Sequence, residues 1–465
     1  MNHSTETVWL PDLMFTGVRF ESGLALVCDQ RGRILRLAPA NEVQNAIALK
    51  NRALLPGLIN AHSHAFQRVI RARTEHRSRN NENTFWGWRE MMYSAAARLT
   101  PEDIYDASRM AFLEMALAGI TTVGEFHYIH HAPDGTPYDD SNRLAKTVVQ
   151  AARDVGLQIA LLNVAYARSG HETEPHPQQV RFIVKDPESY LKQCEQLSFE
   201  LQKMEGVWMG VAPHSVRAVP LAYLKEIIRF GNERRLPIHM HVAEQPGEVS
   251  ACIEEYGRSP VALLETEGLL SDQFTAVHAI HITPKAAWML GQSGARVCAC
   301  PTTERNLADG VVPADELFKQ KIRVCLGTDS QVQIDLLEDA RELEYHLRLS
   351  NMKRAILEGP EEKGPSSLAV RLFKCATENG AGSIGAPGGS LVPDRSADFF
   401  TIDLNDPSIT GAARDDLISH VVFSLSRTAI KDVVVGGRRI IEEGKHPQQE
   451  QVVEKFRILQ KKLWQ

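Results

Sequence analysis

Eight short apolar runs, each ending in polar residues, constrain the fold of this chain more than any other feature. They are LLPGLINAHSH, TTVGEFHY, LQIALLNVAY, VWMGVAPHS, LPIHMHVAE, FTAVHAIH, ARVCACPTTE and IRVCLGTDS. Helical patterns separate most of them, and the clearest predicts a helix from Pro101 to Ala118, with Thr100 and Asp103 as a capping box before it and Gly119 after it. This alternation predicts an α/β fold of the (β/α)8 barrel type, whose functional residues lie at the carboxyl ends of the strands.

Strand patterns also occur near both ends of the chain. Residues 17–39 alternate apolar and polar positions around a DQRG turn, and the C-terminal sequence IKDVVVGGRRII has a GG pair at the turn position. We predict a small accessory β-domain built from residues 1–54 and 386–465, beside a barrel of residues 55–385. A doubly wound open sheet is less favoured, because no strand is followed by G-x-G-x-x-G or a Walker loop.

Composition excludes several classes of function. A net charge of −6 gives no broad positive field for nucleic acid, so a small molecule is the expected partner. The first residues lack a secretory signal, and no run reaches the roughly 18 apolar residues that a membrane span needs, which predicts a cytoplasmic protein without a membrane partner. The 7 scattered cysteines argue against disulfides. We interpret Cys298 and Cys300 as packing residues rather than metal ligands.

Imidazole and carboxylate groups recur at the ends of the strand-like runs. His62 and His64 form an H-x-H pair that alternation directs to one side of a strand. Later runs contribute His239, His241, Glu244, His278, His281 and Asp329. Neutral imidazoles with one carboxylate suit Zn²⁺, and a position left for water makes such a site catalytic. Glu244 would leave the strand end beside the metal and could carry a proton, although it could also be a solvated charge at a helix start.

The remaining histidines are harder to interpret. His239 is more consistent with a core histidine than with a ligand. Because alternation directs His239 and His241 the same way, a single ligand in this pair would require a twist or a bulge at the strand end. His130, His131 and His281 receive no role from the sequence.

The strings AHSHAFQR, EFHYIHH, HMHVAEQ, VHAIH and GTDS, in this order, resemble the deaminase branch of the metal-dependent amidohydrolase superfamily over nearly the whole chain. Within that branch, HSHAFQR, FWGWREMMY, EFHYIHH and PHSVRAV most resemble the N-formimino-L-glutamate deiminases of bacterial histidine degradation. The resemblance implies hydrolysis of N-formimino-L-glutamate to N-formyl-L-glutamate and ammonia. It also implies one Zn²⁺ per chain and a homodimer.

The resemblance also implies a set of site residues. The metal ligands are His62, His64, His241 and Asp329. The catalytic residues are Glu244, His278 and Asp329. The substrate-binding residues are Gln67, Arg89, Tyr128, His214 and Arg217. Two guanidinium groups suit a substrate with two carboxylates. No lysine ends the fourth run, so a dinuclear centre is not expected.

Two departures from the family pattern leave details of the pocket open. Gln331 follows Asp329 and Ser330 where a histidine is expected, and Ala167-Arg168 follows a tyrosine in place of Ser-His. A deaminase of a purine, pyrimidine or triazine is an alternative on the same scaffold, and its pocket would not need two arginines. A metal-free barrel that acts as a binding protein is an alternative of another class, and it would hold no stoichiometric zinc.

Overall fold

The computed structural model describes residues 6–76, 85–174, 176–359, 364 and 366–465. Its strands in these ranges are β1 Thr7–Phe15, β2 Phe20–Glu21, β3 Leu24–Cys28, β4 Ile34–Pro39, β5 Ile47–Pro56, β6 Leu58–Ser63, β7 Ile120–His127, β8 Gln158–Ala165, β9 Val207–Pro213, β10 Ile238–Val242, β11 Phe274–His278, β12 Arg296–Ala299, β13 Val324–Leu326, β14 Phe399–Asp403, β15 Ile430–Val435 and β16 Arg438–Ile441.

The α-helices in the same ranges are α1 Phe85–Ala96, α2 Pro101–Leu117, α3 Arg143–Val155, α4 Pro187–Leu201, α5 Leu221–Glu233, α6 Pro246–Tyr256, α7 Pro260–Thr266, α8 Pro284–Ser293, α9 Pro301–Leu307, α10 Ala314–Lys319, α11 Leu336–Asn351, α12 Ser367–Cys375, α13 Glu378–Ile384, α14 Leu417–Ser424 and α15 Gln449–Trp464. In the described residues, no helix is both long and apolar enough to cross a membrane.

Strands β6 to β13 form a parallel sheet in which each strand pairs with the next along the chain. The sheet closes through a parallel bridge between Ser63, the last residue of β6, and Asp329, which follows β13. At this seam, the Asp329 N–H donates to the His62 carbonyl and the His64 N–H donates to the Asp329 carbonyl, each at 3.0 Å. The predicted (β/α)8 barrel is confirmed, and its seam lies at three of the predicted ligands.

Helix α2 shows how local sequence determines an element boundary. The Thr100 hydroxyl accepts the Asp103 N–H at 3.2 Å, and the Asp103 carboxylate accepts the Thr100 N–H at 2.9 Å. The helix ends at Leu117, and Gly119 follows with φ +80. A Cβ at Gly119 would also lie 3.1 Å from the Phe400 ring. The predicted capping box and glycine stop are therefore confirmed, and the predicted end differs by one residue.

The second sheet joins strands from both ends of the chain, in the order β16-β15-β14-β5-β1-β3-β4, with β2 on β1. Its β15–β16 hairpin turns at Gly436 and Gly437, whose φ values of 54 and 72 are left-handed. The separate small β-domain is thus confirmed as a sheet. The domain boundaries at residues 54 and 386 remain our proposal. Strand β5 of this sheet continues past the first of these boundaries, to Pro56. Helix α15 contacts α2 of the barrel, and Lys462 Nζ lies 2.6 Å from the Asp103 carboxylate.

The barrel interior below the strand ends contains an apolar cluster. Cys298, Cys300 and Cys325 belong to one buried cluster there, with Val277 and Ile384 among their neighbours. All seven cysteines are free and buried. Helix α13 closes this end of the barrel: the Gly380 Cα approaches β6 so closely that a Cβ would lie 2.8 Å from the Ile59 carbonyl.

Candidate functional site

Four buried side chains converge at the mouth of the barrel. They are His62, His64, His241 and Asp329, and their donor atoms lie within 4.8 Å of one another. His62 Nε2 lies 3.2 Å from His64 Nε2. The Asp329 Oδ1 lies 3.3 Å from His62 Nε2 and 3.1 Å from His64 Nε2. The structure therefore brings the four predicted ligands together, three from the seam and one from β10.

Backbone carbonyls fix the orientation of two of these rings. His64 Nδ1 lies 3.1 Å from the Phe126 carbonyl, and His241 Nδ1 lies 3.1 Å from the His214 carbonyl. A carbonyl only accepts, so each Nδ1 carries the proton and each Nε2 presents a lone pair to the cluster. Burial lowers the pKa of His62 to about 3. Converging lone pairs beside a carboxylate repel each other unless a cation lies between them, so these residues fit a metal ion.

Metal loading should stabilise the protein, because the ion would bind only the folded arrangement of these ligands. Free zinc at about 1,000 times its Kd adds about 4 kcal/mol to the free energy of unfolding, which we expect to raise Tm by about 5 °C. Differential scanning fluorimetry of chelator-treated and zinc-loaded protein measures the shift. A His241→Ala variant should lose most of it, and an equal shift in that variant would contradict the assignment.

Glu244 and His278 lie next to the cluster. Glu244 Oε1 lies 3.7 Å from His278 Nε2, which has no hydrogen-bond partner among the described residues. Burial alone would lower the pKa of His278, but Glu244 and Glu304 raise it to about 10. Burial raises the pKa of Glu244. A carboxyl group and an imidazole group, each able to carry a proton, thus lie side by side next to the candidate metal position.

Glu304 at the start of α9 was not identified from the sequence. Its Oε1 lies 3.2 Å from His278 Nδ1 and accepts the Cys300 N–H at 2.8 Å. An acidic residue five positions after a barrel strand was the available signal. We expect Glu304→Gln to lower kcat by about 10–100-fold while zinc content stays unchanged, because the variant no longer holds His278 by a charged hydrogen bond. Zinc analysis with steady-state kinetics tests this, and wild-type kcat would contradict it.

Cys300 also lies near the cluster. His278, Cys300 and Asp329 bring donor atoms within 4.8 Å of one another. Burial raises the pKa of the Cys300 thiol well above its usual range, so the thiol is protonated at neutral pH. A protonated thiol among apolar neighbours is consistent with the packing role expected from the sequence.

Left-handed backbone occurs repeatedly around the site. Ala243, His278, Ala279, Asp329 and Gln331 have φ values of 53, 71, 52, 47 and 63. Non-glycine residues seldom adopt such values, and each costs of order 1–3 kcal/mol. All five lie at or just after the ends of β10, β11 and β13, where the chain turns out of the strand.

A bulge, one of the two distortions by which only one histidine of the His239 and His241 pair could be a ligand, is not found in β10. Strand β10 pairs with β11 in unbroken register from Ile238 to Val242. His239 and His241 both point into the barrel, but in different layers: His239 Nε2 lies 3.2 Å from the Ser383 carbonyl of α13. Two residues along a strand rise about 6.6 Å, which separates the layers. The register shift instead lies in β6, between Asn60 and Ser63, just before His64.

A pocket opens beside the candidate metal position. It is lined by His64, Gln67, Phe85, Trp88, Arg89, Met92, Tyr93, Tyr128, Tyr166, His214, Arg217, His241, Glu244, Leu307 and Asp329. The structure thus brings all five predicted substrate-binding residues to one cavity. Gln67 Nε2 donates to Tyr128 Oη at 2.8 Å. The His214 ring lies 4.9 Å from the His241 ring.

The two arginines of this pocket lack carboxylate partners. Neither Arg89 nor Arg217 forms a salt bridge within 4.0 Å with a described carboxylate. Arg89 Nε and Nη1 are buried and have no hydrogen-bond partner, and the guanidinium lies 4.2 Å from the Trp86 ring. Arg217 Nη1 donates to the Ser169 carbonyl at 3.0 Å. Buried guanidinium groups without counter-charges favour an anionic ligand.

Several residues left open by the sequence have structural partners. His130 Nε2 lies 2.8 Å from the Val164 carbonyl, and His131 Nε2 lies 2.9 Å from the Ile183 carbonyl. His281 Nε2 lies 2.9 Å from the Asp309 carbonyl. These contacts connect loops around the barrel mouth.

The two departures from the family pattern have different roles. Gln331 is fully buried, and its Nε2 donates to Ser63 Oγ at 2.8 Å and to the Asp329 carbonyl at 3.0 Å. It therefore braces the seam between two predicted ligands. Arg168 instead forms a salt bridge with Glu255 at 2.6 Å.

Helix α1 supplies pocket residues that sequence reasoning missed. Phe85, Trp88, Met92 and Tyr93 lie on one face of α1 together with Arg89. Their spacing of three and four residues in FWGWREMMY was the signal for a common helix face.

Comparisons with known proteins agree with this geometry. The model of the amidohydrolase family matches residues 53–440. Formimidoylglutamate deiminase of Pseudomonas aeruginosa is 34% identical over 97% of this chain and 97% of its own length. A 5-methylthioadenosine/S-adenosylhomocysteine deaminase of Syntrophomonas wolfei is 27% identical over 92% of this chain and 90% of its own length. The crystal structure of an amidohydrolase from Brucella melitensis superposes with a TM-score of 0.91, at 31% identity, over 99% of this chain and 100% of the other.

Proposed function

The chain belongs to the amidohydrolase family, and from this premise we propose that it hydrolyses the amidine of N-formimino-L-glutamate to give N-formyl-L-glutamate and ammonia. It is a hydrolase of C–N bonds by family and by its likeness to the P. aeruginosa deiminase. A metal-free binding barrel does not account for four converging metal-binding side chains.

Arg89 and Arg217 are the observation that most favours this substrate. N-formimino-L-glutamate has two carboxylates, and each guanidinium can hold one by paired, charge-assisted hydrogen bonds. Gln67 Oε1 is buried without a partner, so it can accept a hydrogen bond from the substrate. Tyr128 and His214 complete the proposed contacts from the same pocket.

We propose that His62, His64, His241 and Asp329 hold one Zn²⁺. When bound there, zinc would lower the pKa of a water ligand and polarise the reacting centre. Asp329 accepts the proton of the attacking water at its carboxylate. Glu244 then carries to the leaving =NH nitrogen both protons that the water gives up, the first from Asp329 and the second from the hydroxyl of the adduct, so that ammonia departs as the carbonyl of the product forms. His278, held through Nδ1 by Glu304, donates from Nε2 to stabilise the tetrahedral adduct.

The direct test is ammonia release by zinc-loaded protein from a panel of N-formimino-L-glutamate, simple amidines, guanine, cytosine and adenosine. Turnover of N-formimino-L-glutamate alone supports the proposal. Activity on a heterocycle alone would replace the substrate but keep the hydrolytic chemistry.

The likeness to the S. wolfei deaminase favours one second candidate, a deaminase of a purine-type substrate. Such a substrate has no carboxylates, so it would leave the guanidinium groups of Arg89 and Arg217 without counter-charges. The first proposal therefore accounts better for the pocket.

We also propose a homodimer in the cytoplasm, acting in histidine degradation. Light scattering of the purified protein measures the oligomeric state, and cell fractionation measures the location. The small-molecule substrate is the partner that the family supports.

A further inference from the structure

Three buried side chains form a hydrogen-bonded unit in the pocket wall. The Gln179 Nε2 donates to Tyr93 Oη at 2.6 Å and to Tyr166 Oη at 2.8 Å. Both tyrosines line the pocket together with Arg89 and Arg217. Gln179 is 1% exposed and supports the two rings from the protein side.

A chain of hydrogen bonds fixes the orientation of the Gln179 amide. The backbone N–H of His176 donates to Ser169 Oγ at 2.9 Å, so this oxygen acts as an acceptor. The Ser169 hydroxyl in turn donates to Gln179 Oε1. The opposite amide orientation would leave the Ser169 proton without this acceptor. Gln179 Nε2 therefore faces the tyrosines, and both of its N–H groups are used by phenolic oxygens.

The phenolic oxygens thus accept, which leaves their protons to be donated. Tyr166 Oη also accepts from Arg217 Nη1 at 3.5 Å. Among the described residues, Tyr166 Oη accepts hydrogen bonds from Gln179 and Arg217, so its own proton can be directed into the pocket that Tyr166 lines.

We propose that Tyr166, oriented by Gln179, donates a hydrogen bond to the substrate carboxylate held by Arg217 and thereby selects a carboxylate over a carboxamide. This inference rests on the proposed function. A carboxylate accepts only, so it matches a wall made of donors. A carboxamide would direct its own N–H groups at Arg217 and Tyr166 and leave buried donors unpaired.

The test compares N-formimino-L-glutamate with its two monoamides, in which one carboxylate at a time is a carboxamide. In Tyr166→Phe, we expect KM for the dicarboxylate to rise about 10-fold or more, with kcat within about 3-fold of wild type, because a hydrogen bond to a charged group is lost. kcat/KM for one of the two monoamides should stay near its wild-type value. Selectivity for the carboxylate would then fall by the same factor.

Two further variants separate binding from folding. Gln179→Glu would accept the phenolic protons and turn them away from the pocket, so it should lower selectivity as Tyr166→Phe does. Tyr190→Phe is the control, because Tyr190 is fully buried and donates to the Asn163 carbonyl at 2.6 Å, outside the pocket lining. It should leave selectivity unchanged whatever its effect on Tm.

Calorimetric binding of glutarate to the zinc-loaded protein separates this inference from the proposed function. A wild type that binds glutarate but releases no ammonia from N-formimino-L-glutamate would reject the function alone. Weaker glutarate binding in Tyr166→Phe and Gln179→Glu, but not in Tyr190→Phe, would support the inference. Wild-type affinity and selectivity in either of the first two variants would overturn it.

Discussion

Replacing Glu244 by Gln is expected to lower kcat/KM for N-formimino-L-glutamate by about 10³-fold or more, with zinc content unchanged. Glu244 is not among the four converging ligands, so its loss should spare metal binding. Its carboxylate lies 3.7 Å from His278 Nε2, and burial raises its pKa, which favours a carboxyl group that both takes up and delivers a proton. Gln has the same shape but cannot carry that proton.

The matched control is Glu254→Gln on α6, which also removes one negative charge but from an exposed position. We expect its kcat/KM to stay within about 2-fold of wild type, since exposed charges contribute little. Zinc analysis, Tm and steady-state ammonia release are measured for all three proteins. Turnover near wild type in Glu244→Gln would remove Glu244 from proton transfer, and loss of zinc would assign it to the metal site instead.

Replacing either pocket arginine by Met should lower kcat/KM for N-formimino-L-glutamate by about 10²–10³-fold, mainly through KM. Each variant leaves one substrate carboxylate without its counter-charge. Arg89→Met should also raise Tm of the substrate-free protein, because Arg89 Nε and Nη1 are buried without partners and burial lowers the pKa of this guanidinium. Activity and stability should therefore change in opposite directions at this position.

Arg234→Met is the control for the arginine variants. Arg234 forms a salt bridge with Glu195 at 2.8 Å, and it is not part of the pocket lining. Its kcat/KM should remain near wild type. If both pocket variants kept wild-type kcat/KM for the dicarboxylate, the substrate assignment would fail. Heterocycle activity that survives in both would favour the purine-type alternative.

Local patterns were sufficient to predict most of the fold. Alternation and run length identified the eight barrel strands, because strands buried on both faces are short and nearly continuously apolar. The capping box at Thr100 and the glycine after α2 identified a helix with both of its ends. The two hairpins were predicted from their turn residues, DQRG near the N-terminus and GG near the C-terminus. Domain boundaries do not follow from such patterns, because α15 packs against α2 rather than within the terminal sheet.

The candidate site could be predicted where each residue follows a strand directly. His62, His64, His241 and Asp329 lie at strand ends, which a barrel brings together. Residues from other elements depend on tertiary contacts that periodicity does not describe. Glu304 reaches His278 from the first turn of α9, and Gln179 reaches Tyr166 from the short 3-10 helix Pro177–Gln179. The position of His239 in a different layer from His241 likewise depends on where α13 meets the barrel.

The seam between β6 and β13 also sets an order of events during synthesis. His62 and His64 leave the ribosome roughly 270 residues before Asp329, an interval on the order of 10 to 50 s at ordinary elongation rates. Until β13 emerges, β6 is an unpaired sheet edge and the nascent chain holds an incomplete set of ligands. Pairing of this edge and completion of the ligand set occur in the same step. The Asp329 backbone forms hydrogen bonds with the backbone of His62 and His64, and this places the Asp329 carboxylate beside their imidazole rings. The complete set of candidate metal-binding side chains and the closed barrel thus form together.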